Sequence, residues 1–337
     1  MQVPERLTHL RGLLIRQGRT IALNATHRES TASGEERVKL HHGVYMLRSH
    51  WDALVAEDRC LARILSVQHT AGSAHVFSHG SAAALLDLSL YGPAPSTAEV
   101  ISSGRGGGVH SHGLTRHRAA LPDEDVVSIG GILCTSPDRT LLDLARTGDP
   151  ATSLSYADSY LRAEFRVDRR IDHERLGEWQ EGMRRRMDQL RSHRGIRMAR
   201  GVLALADPRK DSVLESVSHL RLHQLGFRTE LQVPVPGPNG HDYYVDFEFV
   251  DLNMFGECDG RAKYTDSRMR GGLTLEQALY REKRRQDWIC GKTRKGMVRW
   301  GRPDVDTTTA FARRLHAFGV PIPRPFATAE SSGSRSK

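Results

Sequence analysis

Tyr244-Val245-Asp246-Phe247-Glu248-Phe249, then Asp251-Leu252-Asn253, then Met254-Phe255-Gly256-Glu257-Cys258-Asp259-Gly260 is the stretch that decides the C-terminal fold. In the first run Tyr244, Asp246 and Glu248 alternate with Val245, Phe247 and Phe249, the pattern of a half-buried strand. The short link lets the second run pair antiparallel with it. Period-two geometry then puts Glu257 and Asp259 on one face, with Asp246 beside them on the neighbouring strand. The Gly256 inside the second run weakens it as a central strand.

Outward from this pair the pattern is orderly. A helix spans Asp211 to about Leu225, closed by Gly226, and brings Glu215 above the sheet end. A strand covers Arg228 to Val233, a helix about Leu275 to Cys290, a strand Met297 to Trp300, and a last helix about Thr307 to Phe318. Three or four carboxylates converging at a sheet end repel one another unless a cation neutralises them. Mg²⁺ suits that place, with Mn²⁺ as an alternative, because it takes hard oxygens, keeps waters and bridges to phosphate. Such an ion activates water and stabilises charge in phosphodiester hydrolysis. The plainer reading of a Glu-x-Asp pair is a solubilising strand end.

The segment from about Ser212 to Asp306 resembles the PD-(D/E)xK nuclease superfamily, in the branch related to very-short-patch-repair endonuclease. The residues carrying this are Glu215; Asp246; Glu257-Cys258-Asp259-Gly260 with Lys263-Tyr264; Glu282-Lys283-Arg284-Arg285-Gln286-Asp287; and Val298-Arg299-Trp300. The resemblance implies a restriction-endonuclease-like α/β core of order αβββαβ. It implies that Asp246 and Glu257 ligate the metal, with Asp259 a third ligand or a water orienter. Glu215 would stand behind them or serve a second metal. Lys263, Lys283 and Arg285 would contact phosphate or stabilise transition-state charge. The superfamily's motif has Lys two residues after the acid; here that place holds Asp259, and Lys263 stands in for it.

The front half reads differently. Residues 5–17 suggest an amphipathic helix, and Arg37 to Leu47, with a turn at His42-Gly43, a small basic hairpin. In a winged-helix module such a hairpin would present Arg37 and Lys39 to DNA; otherwise it is a solvated hairpin. A helix is expected over residues 51–66 and another from about Ser81. Strand-like runs follow at Glu99-Val100-Ile101, Gly108-Val109 and Val126 to Ile129. Thr135 or Ser136 can cap a helix with Pro137 in its first turn. Helical runs continue to about Ala206.

Gly43-Val44-Tyr45, Ser78-His79-Gly80-Ser81-Ala82-Ala83-Ala84-Leu85 and Thr135 to Ala145 resemble the abortive-infection antitoxin regulators of the AbiEi type, from bacterial type IV toxin–antitoxin systems. That implies an α+β front part: a winged helix, degenerate over residues 18–34, plus a mixed α/β region. The expected organisation is a winged-helix-like module at 1–50, an antitoxin-like region at 51–206, a nuclease-like domain at 207–320 and a disordered tail at 321–337. Ala206-Asp207-Pro208-Arg209-Lys210 marks the main boundary.

Other motifs have plainer readings. Ser78-His79-Gly80-Ser81 lacks a nucleophile elbow, so capping by Ser78 or Ser81 is expected. The glycine run at 104–108 lacks a following Gly-Lys-Ser/Thr. His110, His112 and His117 read as loop histidines. The arginine-rich stretch 184–200 reads as a solvated helix face, with DNA-backbone contact as the alternative.

Composition agrees with a polyanion partner. Across 337 residues, 49 Lys and Arg face 40 Asp and Glu, a net charge of +9. Such an excess favours nucleic acid. The four cysteines form no CxxC pair, and there is no apolar signal-like start or 18-residue apolar run. A cytoplasmic protein with no membrane partner is expected. The leading expectation is a DNA-binding protein whose C-terminal domain hydrolyses DNA. The alternative is a non-catalytic DNA-binding regulator, an antitoxin with a partner toxin. RNA as substrate is a third option.

Overall fold

The computed structural model describes residues 2–16, 35–70, 75–93, 95–102, 113–238, 240–259 and 274–323. Lys263, Tyr264, Gly260, the glycine run at 104–108, Val109, His110, His112, the segment 18–34 and most of the tail lie outside these residues. The chain is mixed α/β, with four sheets among the described residues. It divides into two compact units, Met1–Tyr160 with His173–Ala204, and Leu161–Asp172 with Leu205–Lys337.

Unit 1 opens with helix α1 (Val3–Leu13) and strand β1 (Ile15–Arg16), where one longer helix was expected. The expected hairpin is present as β2 (Arg37–His41) and β3 (Val44–Leu47). Gly43 supplies the left-handed turn residue, with φ 68°. β1 pairs with the other side of β3. The helix expected over 51–66 is two helices, α2 (Arg48–Ala53) and α3 (Ala56–Thr70). The break falls at Leu54, which is extended. Arg59 compensates by donating to the Trp51 and Asp52 carbonyls that end α2, each at 3.1 Å.

A five-stranded sheet follows, from β4 (Val76–Phe77), β5 (Ala98–Ser102), β6 (Leu114–Arg118), β7 (Val126–Ile129) and β8 (Ile132–Thr135), in the order β6-β5-β4-β8-β7. Helix α4 (His79–Leu85) leaves β4. Leu7, Leu10, Met46, Leu61, Ile64, Phe77 and Cys134 belong to one core that joins both sheets to α1 and α3. Helix α5 (Pro137–Thr147) is capped by Ser136, which accepts the Arg139 amide. α6 (Pro150–Phe165), α7 (His173–Gln189) and α8 (Ile196–Ala204) follow.

Unit 2 begins with the C-terminal end of α6, followed by a hairpin where helical runs to about Ala206 were expected: β9 (Arg166–Val167) and β10 (Arg170–Ile171). Its two turn residues, Asp168 and Arg169, are both left-handed, with φ 45° and 66°. Then come α9 (Val213–Gln224), β11 (Thr229–Pro236), β12 (Asp242–Phe249), β13 (Met254–Cys258), α10 (Leu275–Thr293), β14 (Gly296–Trp300), α11 (Arg302–Val305) and α12 (Thr308–Ala317). The sheet order is β11-β12-β13-β14. The first three strands are antiparallel; β14 pairs parallel with β13, as a connection through α10 permits.

Both faces of this sheet are covered. On one, Phe247, Phe249 and Trp300 pack together and onto Phe311 of α12, and the Trp300 indole donates to Ser218 of α9 at 2.8 Å. On the other, Phe255, Val235 and Val245 pack with Ile289 of α10. Gly256 makes room for Trp300: a Cβ there would run into the indole ring.

Candidate functional site

The acidic site is built from the start of α9. Ser212 caps the helix by accepting the Glu215 amide. The Glu215 carboxylate folds back and accepts the Ser212 hydroxyl at 2.7 Å and the Asp211 amide at 2.9 Å. It is 6% exposed. Burial pushes its pKa up, opposed by hydrogen bonds from the Asp211 amide, Ser212 and Gln232.

Gln232 of β11 joins this acid to the next. Its Nε2 donates to Glu215 Oε2 at 2.9 Å and to Asp246 Oδ1 at a longer 3.4 Å. The other Asp246 oxygen accepts the Cys258 amide at 2.8 Å. Glu215 and Asp246, expected to converge, are therefore brought around one amide nitrogen. Beside them the buried Cys258 thiol faces the Ser218 hydroxyl at 3.2 Å, and burial, reinforced by Asp246 and Glu215, holds it protonated.

Asp246 and Glu257 do not share a face. The ladder pairs Leu231 with Phe247 and Val233 with Val245, while Gln232 between them is left-handed at φ 51°. The usual alternation breaks there. Val245 packs toward α10, whereas Phe247, two residues on, packs against Trp300 on the α9 side. Asp246 is thus bound on the α9 side.

Glu257 is bound on the α10 side. Arg285 pairs with it at 2.7 Å, and Arg299, opposite it in the β13–β14 register, at 2.6 Å. Glu282 closes the network by pairing with both arginines. Arg285 also donates to the Tyr244 carbonyl at 2.7 Å. Asp259 is half-buried just past β13, its amide bonded to the Trp300 carbonyl at 2.8 Å. Lys283 is exposed on α10, and Lys263 is outside the described residues. In unit 1, Arg37 and Lys39 are exposed two residues apart on β2.

Two groups at the acidic site carried no signal in the sequence. Gln232 is a single polar residue within a strand. Arg169 comes from the unanticipated hairpin; it donates to Gln232 Oε1 at 2.9 Å, pairs with Asp211 at 3.2 Å and lies 4.1 Å over the Tyr244 ring. Arg299 was legible only as part of the closing strand.

The donor chemistry of Glu215 and Asp246 fits Mg²⁺, which is commonly held by one or two carboxylates with waters and phosphate completing its shell. Glu257 is instead engaged by two guanidiniums that it shares with Glu282. Among the described residues no group of three or more His, Cys, Asp or Glu side chains is placed to hold a metal ion.

The chain is similar to two uncharacterized proteins of Mycobacterium tuberculosis. One is from strain CDC 1551 / Oshkosh and one from strain H37Rv; each is 29% identical over 132 residues, covering 39% of this chain and 44% of the relative. The chain thus spans less than half the length of the curated relatives it matches. No family's sequence profile matches it.

Unit 1 holds a second polar cluster. His79 is left-handed at φ 49°, 6% exposed, and stacked on His117 at 3.7 Å. Glu99 accepts the Gly80 amide at 2.9 Å and bonds His117 at 3.1 Å. Neither expected serine caps α4 through its hydroxyl: Ser78 faces His79 at 3.0 Å, and Ser81 accepts the Glu99 amide at 2.9 Å. Glu99 satisfies the helix start in their place. Among the described residues no helix is long and apolar enough to cross a membrane.

Proposed function

We propose that this is a cytoplasmic DNA-binding protein whose unit 2 hydrolyses phosphodiester bonds with Mg²⁺, or Mn²⁺ in its place, held by Asp246 and Glu215. The observation that carries the reading is the meeting of these two carboxylates at Gln232. It occurs beside a sheet with the element order helix–three strands–helix–strand, the order expected of a PD-(D/E)xK core. When bound, the ion would supply water activation and neutralise charge on the phosphate. Asp246 is oriented for that task by the Cys258 amide and Glu215 by Ser212 and Asp211. Lys283, exposed on α10, and Lys263 would hold the DNA backbone. The Glu257–Arg285–Arg299–Glu282 network fastens α10 and β14 together on the opposite side of the sheet. Arg37 and Lys39, exposed on the β2–β3 hairpin, would give unit 1 a phosphate contact in the manner of a wing.

The test is nicking of supercoiled plasmid with Mg²⁺ or Mn²⁺ by wild type and Asp246→Ala. Metal-dependent nicking lost in the variant supports the reading.

A second reading is a non-catalytic DNA-binding regulator of the antitoxin type, with a partner toxin. It is favoured by Glu257, which is tied up in ion pairs. Equal DNA binding by wild type and Asp246→Ala, without nicking by either, supports it. Loss of binding on neutralising Arg37 and Lys39 then places recognition on the hairpin.

A further inference from the structure

We infer that Arg169, at the tip of the β9–β10 hairpin, is the guanidinium that grips a DNA phosphate at the Glu215–Asp246 site. The inference deepens the nuclease reading and rests on it. Four observations converge on this residue. First, Asp168 and Arg169 occupy a two-residue turn in which both are left-handed. Such turns favour Asn-Gly or Asp-Gly, so an arginine there is held against its own backbone preference. Strain of that kind, observed at a defined position, points to a use for the side chain.

Second, the side chain is aimed. It stacks on Tyr244 and donates to Gln232 Oε1, while Gln232 Nε2 serves Glu215 and Asp246. Gln232 thus joins the cation to the acids in one line of hydrogen bonds. Third, the Arg169 side chain stays 42% exposed, and that of its other anchor, Asp211, 36%. It is ordered yet open to a ligand. Fourth, Arg285 and Arg299 are bound to Glu257 and Glu282 on the other side of the sheet. A planar fork of N–H donors suits a phosphate bidentately, which a lysine does not reproduce.

The experiment uses the full chain and a short labelled DNA duplex, with Ca²⁺ replacing Mg²⁺ so that binding is read without cleavage. Affinity is measured against salt concentration for wild type, Arg169→Gln and Arg169→Lys, with the melting temperature recorded for each. The expected result for Arg169→Gln is about a tenfold loss of affinity and a salt slope reduced by about one, at an unchanged melting temperature. Arg169→Lys keeps the slope and loses affinity severalfold; should Arg169→Gln fail to fold, the lysine variant decides. An unchanged slope and affinity in Arg169→Gln, or full affinity in Arg169→Lys when it alone is read, overturns the inference. If wild type still nicks plasmid in that case, the nuclease reading survives it. A wild-type chain that binds no DNA overturns both.

Discussion

Gln232 donates its side-chain amide to the buried carboxylate of Glu215 at 2.9 Å. The same nitrogen reaches Asp246, so a neutral dipole stands between two acids that would otherwise repel. A cation between the carboxylates would outcompete that weak partial charge. Gln232→Leu removes that dipole and leaves both acids facing each other. The expected cost without divalent ions is about 1–3 kcal/mol, the range for a buried group losing its partner. Mg²⁺ should recover most of it, whereas the wild type gains less. Thermal denaturation with and without Mg²⁺ checks this.

A metal ion at Glu215 would compete with a proton. Burial raises its folded-state pKa above the ordinary 4.5, so the folded chain keeps a proton that the unfolded chain releases. Stability from this group is therefore present below the unfolded value and falls as pH rises through the raised one. An ion bound to Glu215 would replace that proton. The gain in melting temperature from Mg²⁺ should then grow as pH climbs through that window. In Glu215→Gln the gain should be small and flat with pH.

His79 gives unit 1 the opposite dependence. Burial, then the neighbouring His117, lower its pKa to about 4 from 6.5, with Arg139 and Arg146 adding to this and Glu99 opposing it. The unfolded chain takes up a proton that the folded chain refuses. Stability should fall as pH drops from about 6.5 toward 4, by about 3 kcal/mol for this residue. Asparagine tolerates the left-handed backbone. His79→Asn should flatten the difference between denaturation midpoints at neutral and acid pH, and an unchanged acid sensitivity would refute the assignment.

Gly256 is a packing requirement. An alanine methyl group would strike the Trp300 ring, which is 1% exposed and wedged against Phe247, Phe249 and Phe311. Gly256→Ala should destabilise unit 2 by about 1–3 kcal/mol through overpacking. Denaturant unfolding gives the loss. Serine should be worse, since it adds a hydroxyl to the same clash.

The strand over residues 244–249, the antiparallel return to Glu257 and the helices on either side were legible because hydrophobic pattern and turn chemistry agree there. The capping role of Ser136 and the turn at Gly43 were legible for the same reason. The placement of Glu257 was not. Period two would set it beside Asp246, but the alternation of β12 breaks between Val245 and Phe247, alongside the left-handed Gln232 of β11. The partner register that puts Arg299 against Glu257 depends on a crossover through α10, which local pattern does not encode. The β9–β10 hairpin was hidden because two-residue strands leave no periodicity and its turn lacks glycine. Gly256, which read as a weakness in a strand, is explained by a tryptophan 44 residues later in the chain.

The proposed ion site is Asp246 with Glu215, rather than Glu257. Its most direct test is the single-turnover rate of Mg²⁺-dependent plasmid nicking by wild type, Asp246→Asn, Glu215→Gln and Glu257→Gln, all measured at a temperature where each is folded. The Asp246 and Glu215 variants should lose at least about a hundredfold, near 3 kcal/mol of barrier. Glu257→Gln should lose less than about tenfold, with its main effect a lower melting temperature. Loss in Glu257→Gln as deep as in Asp246→Asn, at an unchanged melting temperature, would contradict it, as would equal nicking by all four proteins.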